Sequence, residues 1–114
     1  MLNKKLKIEE LEKLAIEIRE EIIKMLLEAK SGHSAGSLGA VDILIALYFN
    51  ILNYDPKNPN WEDRDRFVLS NGHIVPALYA VLAYAGFFDK RELYSLRKLN
   101  SRLQGHPHRG SLAG

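Results

Sequence analysis

Phe67-Val68-Leu69-Ser70-Asn71-Gly72-His73, followed at once by an apolar run opening at Ile74, is the stretch on which the fold turns. Three apolar residues bounded by turn formers predict a short buried strand over 66–70. Asn71-Gly72 supplies the permissive turn, and a helix is predicted to start just beyond it. Pro76 fits that reading, because an early helical position loses little by lacking an N–H. A helix that begins this way turns unpaired N–H groups and the positive end of its dipole toward the crevice beside it. His73 falls in the first helical turn, where its ring can reach an anion held there.

Two more glycine–histidine pairs, Gly32-His33 and Gly105-His106, flank this element in loop-like sequence. Glycine lets backbone approach a ligand closely, and a neutral imidazole both donates and accepts a hydrogen bond. Converging, the three units would make a polar pocket suited to a phosphorylated or polyhydroxylated ligand. A metal site is the competing reading. The histidines are too far apart in sequence for a helical two-histidine motif, and His106-Pro-His108 alone is weak.

Outward from this centre, 8–29 predicts an amphipathic helix. Leu11, Leu14, Ala15, Ile18, Ile22, Met25, Leu26 and Ala29 recur at three- and four-residue steps. Its outer face carries Glu9/Lys13 and Glu20/Lys24 pairs, each worth only ~0.2–0.5 kcal/mol. The glycine- and serine-rich 31–39 should end that helix and lead into the next. Gly39 and Asp42 suit a helix start, and 40–52 is apolar nearly all round. Such a helix is buried in a larger core or covered by a partner. A turn-rich connection with Pro56 and Pro59 follows. After the central helix, Gly86 is the expected stop, and Asp89 with Glu92 forms a capping-box pattern for a short helix to about Lys98. One strand cannot make a sheet, so the pattern reads as an all-helical domain with an extended connector or as part of a larger α/β unit. The all-round apolar helix favours the second.

The chain has 114 residues, enough for one small domain, with 46% apolar and 26% charged residues. A net charge of +2 shows none of the basic excess of a nucleic-acid binder. There is no cysteine, so no disulfide framework and no cysteine-based zinc site. The first residues show no signal-peptide core. The longest uncharged run, 74–88, falls short of the roughly 20 residues that span a bilayer. These features make a cytoplasmic protein, with neither nucleic acid nor membrane as partner, the expectation. Residues 89–109 hold six basic and two acidic side chains, which read as a solvated face sooner than as a sugar-phosphate or acidic-partner site.

Three stretches match a known family in its order. Ser-Gly-His-Ser-Ala-Gly-Ser-Leu-Gly-Ala-Val-Asp-Ile (31–43), Asp-Arg-Phe-Val-Leu-Ser-Asn-Gly-His (65–73) and Leu-Gln-Gly-His-Pro (103–107) resemble the amino-terminal part of transketolases. The first motif and the His108-Arg109 continuation are most similar to the amino-terminal subunit of split transketolases. Deoxyxylulose-phosphate synthases share the early Gly-His but carry Trp-Asp-x-Gly-His at the second motif, so they come second. A non-catalytic interaction module is the remaining alternative.

The resemblance implies an α/β thiamine-diphosphate-binding fold, of which 1–114 is a mostly helical amino-terminal portion with one strand. It implies transfer of a two-carbon ketol unit between sugar phosphates, dependent on thiamine diphosphate and Mg2+. Carried over by motif, His73 and Gly72 contact the cofactor diphosphate. His33 and His106 face the sugar and assist proton movement, as substrate-binding and catalytic residues. The family's metal ligands and its activating glutamate lie in segments beyond those matched here. The implied partners are therefore a carboxy-terminal part or subunit, in a homo- or hetero-oligomer.

Overall fold

The computed structural model describes residues 5–30, 34–107 and 112–114. Helix α1 spans Ile8–Ala29, as its periodicity predicts. Its first turn is closed by Glu10, whose Oε1 accepts from the Lys7 N–H at 3.1 Å, and it ends where Lys30 turns left-handed with φ 56°. Ala15, Ile18, Ile22 and Met25 form its buried stripe. On the outer face Lys24 pairs with Glu21 at 3.7 Å rather than with Glu20.

Helix α2 spans Ala35–Ala46 and widens into a π-helical turn over Leu47–Ile51. It therefore starts five residues before the expected boundary, and Gly39 lies inside it. Tertiary packing overrides local propensity here. A Cβ added at Gly36 would lie 2.7 Å from Ile74 Cγ2, so glycine lets α2 run close against the turn that precedes the central helix. Asp42 is consequently no first-turn residue. It pairs with Arg19 at 3.1 Å, and the Arg19 Nε donates to the Leu38 carbonyl at 3.3 Å, joining α1 to α2. Val41, Leu44, Ile45 and Tyr48 are buried, whereas Ile43 is 66% exposed, so part of this apolar helix is uncovered.

Helix α3, Val75–Ala85, is the centre of the domain: every residue from Val75 to Ala83 is buried. It packs against α1 and α2, with the 3₁₀ segment Lys90–Ser95 closing another side. Gly86, at φ 100°, supplies the left-handed stop that glycine adopts without strain.

The strand expected over 66–70 is not formed. The segment is extended, with Phe67 and Leu69 turned toward the core and Val68 82% exposed. None of its backbone groups bonds to the backbone of another described residue. A strand exists only through a neighbour that completes its ladder, and among the described residues no neighbouring strand is present. Aromatic contacts hold the segment instead. Phe67 meets Tyr48 edge-on at 5.9 Å, Tyr48 meets Tyr54 at 5.6 Å, and Tyr54 stacks on Phe87 at 5.3 Å.

The helix expected from Asp89 to Lys98 is a shorter 3₁₀ segment. Asp89 caps it, accepting from the Arg91 N–H at 2.8 Å. Glu92 does not close a capping box, because Arg102 takes its carboxylate at 2.7 and 3.0 Å. No helix among the described residues is long and apolar enough to cross a membrane.

Replacing Ile22, fully buried on α1, by Ala is expected to lower stability by about 2–5 kcal/mol. Gly39→Ala meets open space in the helix interior and is expected to raise it by about 0.5–1 kcal/mol. Urea unfolding midpoints check both directions. The Asp89 carboxyl is held down to about 2, first by its side-chain hydrogen bonds with Arg91 and then by the Arg91 N–H. A depressed carboxyl stabilises above its unfolded value near 3.8 and loses that effect as pH falls through about 2. NMR titration should place its midpoint there, and Arg91→Ala should move the midpoint up.

Candidate functional site

The turn Gly72–Ile74 is a single 3₁₀ turn that feeds directly into α3, so His73 sits at the entrance of the buried helix. The Ile74 N–H bonds the Asn71 carbonyl at 3.2 Å, extending helical backbone one turn ahead of α3. The positive end of the helix dipole is thereby directed at this turn. His73 itself is solvent-facing.

His106 comes to the same place from the other end of the chain. Its ring lies edge-on to His73 with centroids 4.8 Å apart. Gly72 makes this approach possible: an added Cβ would run into His106 Cδ2 and stand 3.2 Å from its Cγ. Sequence reasoning assigned this glycine to the site, and its closest demand for space comes from His106. His33 lies outside the described residues. Gly36, three positions after it, packs on Ile74 beside His73.

Loop 101–106 is fastened at several points. Leu103 is fully buried. Its N–H donates to Ser101 Oγ at 3.0 Å, and its carbonyl accepts from the Arg97 N–H at 2.8 Å. The Tyr79 hydroxyl, on α3, donates to the Gln104 carbonyl at 2.8 Å. Burial, partly offset by that bond, pushes the Tyr79 phenol up from its ordinary value.

Sequence reasoning missed Arg97. It stands at φ 61° in the left-handed region, a conformation that no local sequence pattern announces. Its Nη1 lies 2.9 Å from the position of a Cβ on Gly105, so glycine at 105 leaves room for the guanidinium. Arg97, His73, Gly105 and His106, with Leu26, Pro76 and Leu96, line a cavity of about 160 Å3. Two imidazoles and a guanidinium at a helix start suit an anionic or hydroxylated ligand, since a guanidinium repels a cation. Several other cations of 89–109 are engaged on the surface. Arg91 pairs with Asp89 at 2.8 Å and Lys98 with Glu28 at 2.8 Å, while Lys90 lies 4.0 Å over the Tyr84 ring. The solvated-face reading holds for these.

A wider groove of about 670 Å3 runs beside the extended 66–70 segment, floored by Tyr48, Tyr54, Leu78 and Leu82. Its arginines are occupied: Arg64 donates to the Trp61 carbonyl, Arg66 to those of Arg64 and Glu62, and Arg102 pairs with Glu92. The groove therefore offers mainly apolar surface, and the cavity at His73 and His106 is the better candidate for ligand chemistry.

Comparison with known proteins shows the family. The family model described as transketolase, thiamine diphosphate binding domain, matches residues 11–114. The chain is 46% identical over 98 residues to transketolase of Aquifex aeolicus, covering 85% of this chain and 14% of that protein. It is 42% identical over 102 residues to transketolase 1 of Escherichia coli, covering 89% and 15%. The solved transketolase of Leishmania mexicana superposes with a TM-score of 0.87 at 34% identity, over 97% of this chain and 16% of that one. The chain thus spans about one-sixth or less of the length of these relatives. A helix entrance carrying Ser-Asn-Gly-His, with Gly-His-Pro folded back against it, lies inside the matched region, and the chain belongs to the transketolase family, in its thiamine diphosphate binding domain.

Proposed function

We propose that the chain is the amino-terminal part of a transketolase and contributes one side of a site for ketol transfer between sugar phosphates. The observation that carries this reading is the meeting of His73 and His106 at the start of α3, beside Arg97. The residues present fit a diphosphate-bearing cofactor. A helix start, a glycine turn with no room for a Cβ and a nearby guanidinium together favour negative charge. Thiamine diphosphate, when bound, supplies the nucleophilic carbon that such a transfer requires.

In this reading His73 holds the diphosphate and Gly72 keeps the turn narrow enough for it. His106 and His33 face the sugar, where a neutral imidazole can take a proton from one hydroxyl and return it to another. Mg2+ ligands and the activating carboxylate belong to the carboxy-terminal part or subunit, and an oligomer in the cytoplasm is the expected assembly. Residues 66–70 become a strand when that part supplies a neighbouring one. The alternation of Phe67 and Leu69 inward with Val68 outward, and a backbone that pairs with no other described residue, support this.

The test is reconstitution. The chain alone, with excess thiamine diphosphate and Mg2+, should show no ketol transfer. Adding the remainder of the Aquifex aeolicus transketolase should restore it, and turnover by the chain alone would overturn the division of labour. In the reconstituted enzyme His73→Ala should weaken cofactor binding, read by calorimetry. His33→Ala and His106→Ala should each lower turnover about 100-fold at saturating cofactor. Equal loss of cofactor affinity in all three would contradict these roles.

A further inference from the structure

We infer that Tyr79 is a positioning residue that sets His106 against His73. Its hydroxyl is the one described polar link from α3 to the loop that carries Gly105-His106, donating to the Gln104 carbonyl at 2.8 Å. Tyr79 is 4% exposed and sits in a helix buried along nearly its whole length, so its ring has no freedom to follow a loop that moves. His73 stands at the entrance of the same helix, six residues earlier. One rigid element therefore carries His73 at one end and, two turns on, the donor that fixes the peptide next to Gly105.

The other fastenings of the loop either act further from His106 or, like the Gln104 Nε2 bond to the Ser101 carbonyl, stay within the loop and do not tie it to α3. Leu103 anchors the loop in the core, and the Arg97 N–H and Ser101 Oγ bond Leu103 rather than the residues beyond it. From Gln104 onward the chain is exposed or half-buried, and Gly105 adds backbone freedom just before the histidine. Without the Tyr79 bond the Gln104–Gly105 peptide can rotate and carry the imidazole away from Gly72. The edge-on contact at 4.8 Å tolerates little displacement, because Gly72 leaves no gap beyond the His106 ring. The role given to His106 in turnover rests on the proposed function. The placement of its ring by Tyr79 does not.

Tyr79→Phe keeps the ring and removes only the donor, leaving a carbonyl that water can reach at an exposed residue. Tyr94→Phe is the matched control. It removes a hydroxyl whose bond, to Glu21 on α1 at 2.6 Å, does not involve the loop. In NMR spectra of the 114-residue chain, Tyr79→Phe should weaken the nuclear Overhauser effects between the His73 and His106 rings and shift the His106 ring signals. Tyr94→Phe should leave both as they are. In the reconstituted enzyme Tyr79→Phe should lower kcat about tenfold with unchanged cofactor affinity. Unchanged His106 signals in Tyr79→Phe, or an equal shift in Tyr94→Phe, would overturn the inference. A measurement on the unaltered chain stands apart from whether the variant folds. The Tyr79 hydroxyl proton should be slow to exchange and show an Overhauser effect to the Gly105 N–H, and absence of that signal would also refute the assignment. Loss of turnover without any change at His106 in the spectra would count against this positioning role while leaving the transketolase reading intact.

Discussion

Burial of α3 on nearly every side is the constraint from which the remaining geometry follows. Val75–Ala83 has no exposed residue, so α1, α2 and the 3₁₀ segment must each present an apolar stripe to it. Burying a side chain such as Val81 or Leu82 is worth about 1.5–3 kcal/mol, and a helix surrounded in this way cannot rotate or slide without losing several such contacts. The entrance turn and Tyr79 inherit that rigidity. The site is therefore built on the most continuously buried helix among the described residues, although its histidines lie in turns and loops.

Close approach matters as much as burial. Gly36 lets α2 lie against Ile74, Gly72 admits the His106 ring and Gly105 admits the Arg97 guanidinium. In each case an added methyl would meet a neighbour at or inside contact distance, and the neighbour belongs to the site or its support. Glycine serves here by the space it leaves. None of the three has the positive φ that demands glycine. Gly86 is the contrasting case, where the backbone itself requires the residue.

The uncovered surfaces lie away from this centre. Ile43 on α2, the groove beside 66–70 and the backbone of that segment, which pairs with no other described residue, leave apolar surface or backbone polar groups open among the described residues. Backbone groups in an extended segment are satisfied by water or by a neighbouring strand, and the inward turn of Phe67 and Leu69 has already chosen which face that strand would share. The chain covers about 15% of the length of the relatives it matches.

Local sequence was sufficient for whatever depends on periodicity or turn chemistry. The bounds of α1, the stop at Gly86 and the placing of His73 at a helix entrance follow from side chains a few residues apart. The Gly-His motifs marked His33, His73 and His106 as lining one cleft; the structure brings His73 and His106 together beside Gly72, and His33 lies outside the described residues. Tertiary structure alone decided the start of α2, because Gly36 and Gly39 are poor helix formers that become helical once α2 packs against Ile74. It also decided that 66–70 is extended without a ladder, since pairing depends on a neighbour and not on the segment. Arg97 and Tyr79 were legible only in three dimensions. One depends on a left-handed backbone and the other on a hydrogen bond between residues 25 apart in the chain, and neither leaves a trace in the pattern of hydrophobic and polar residues.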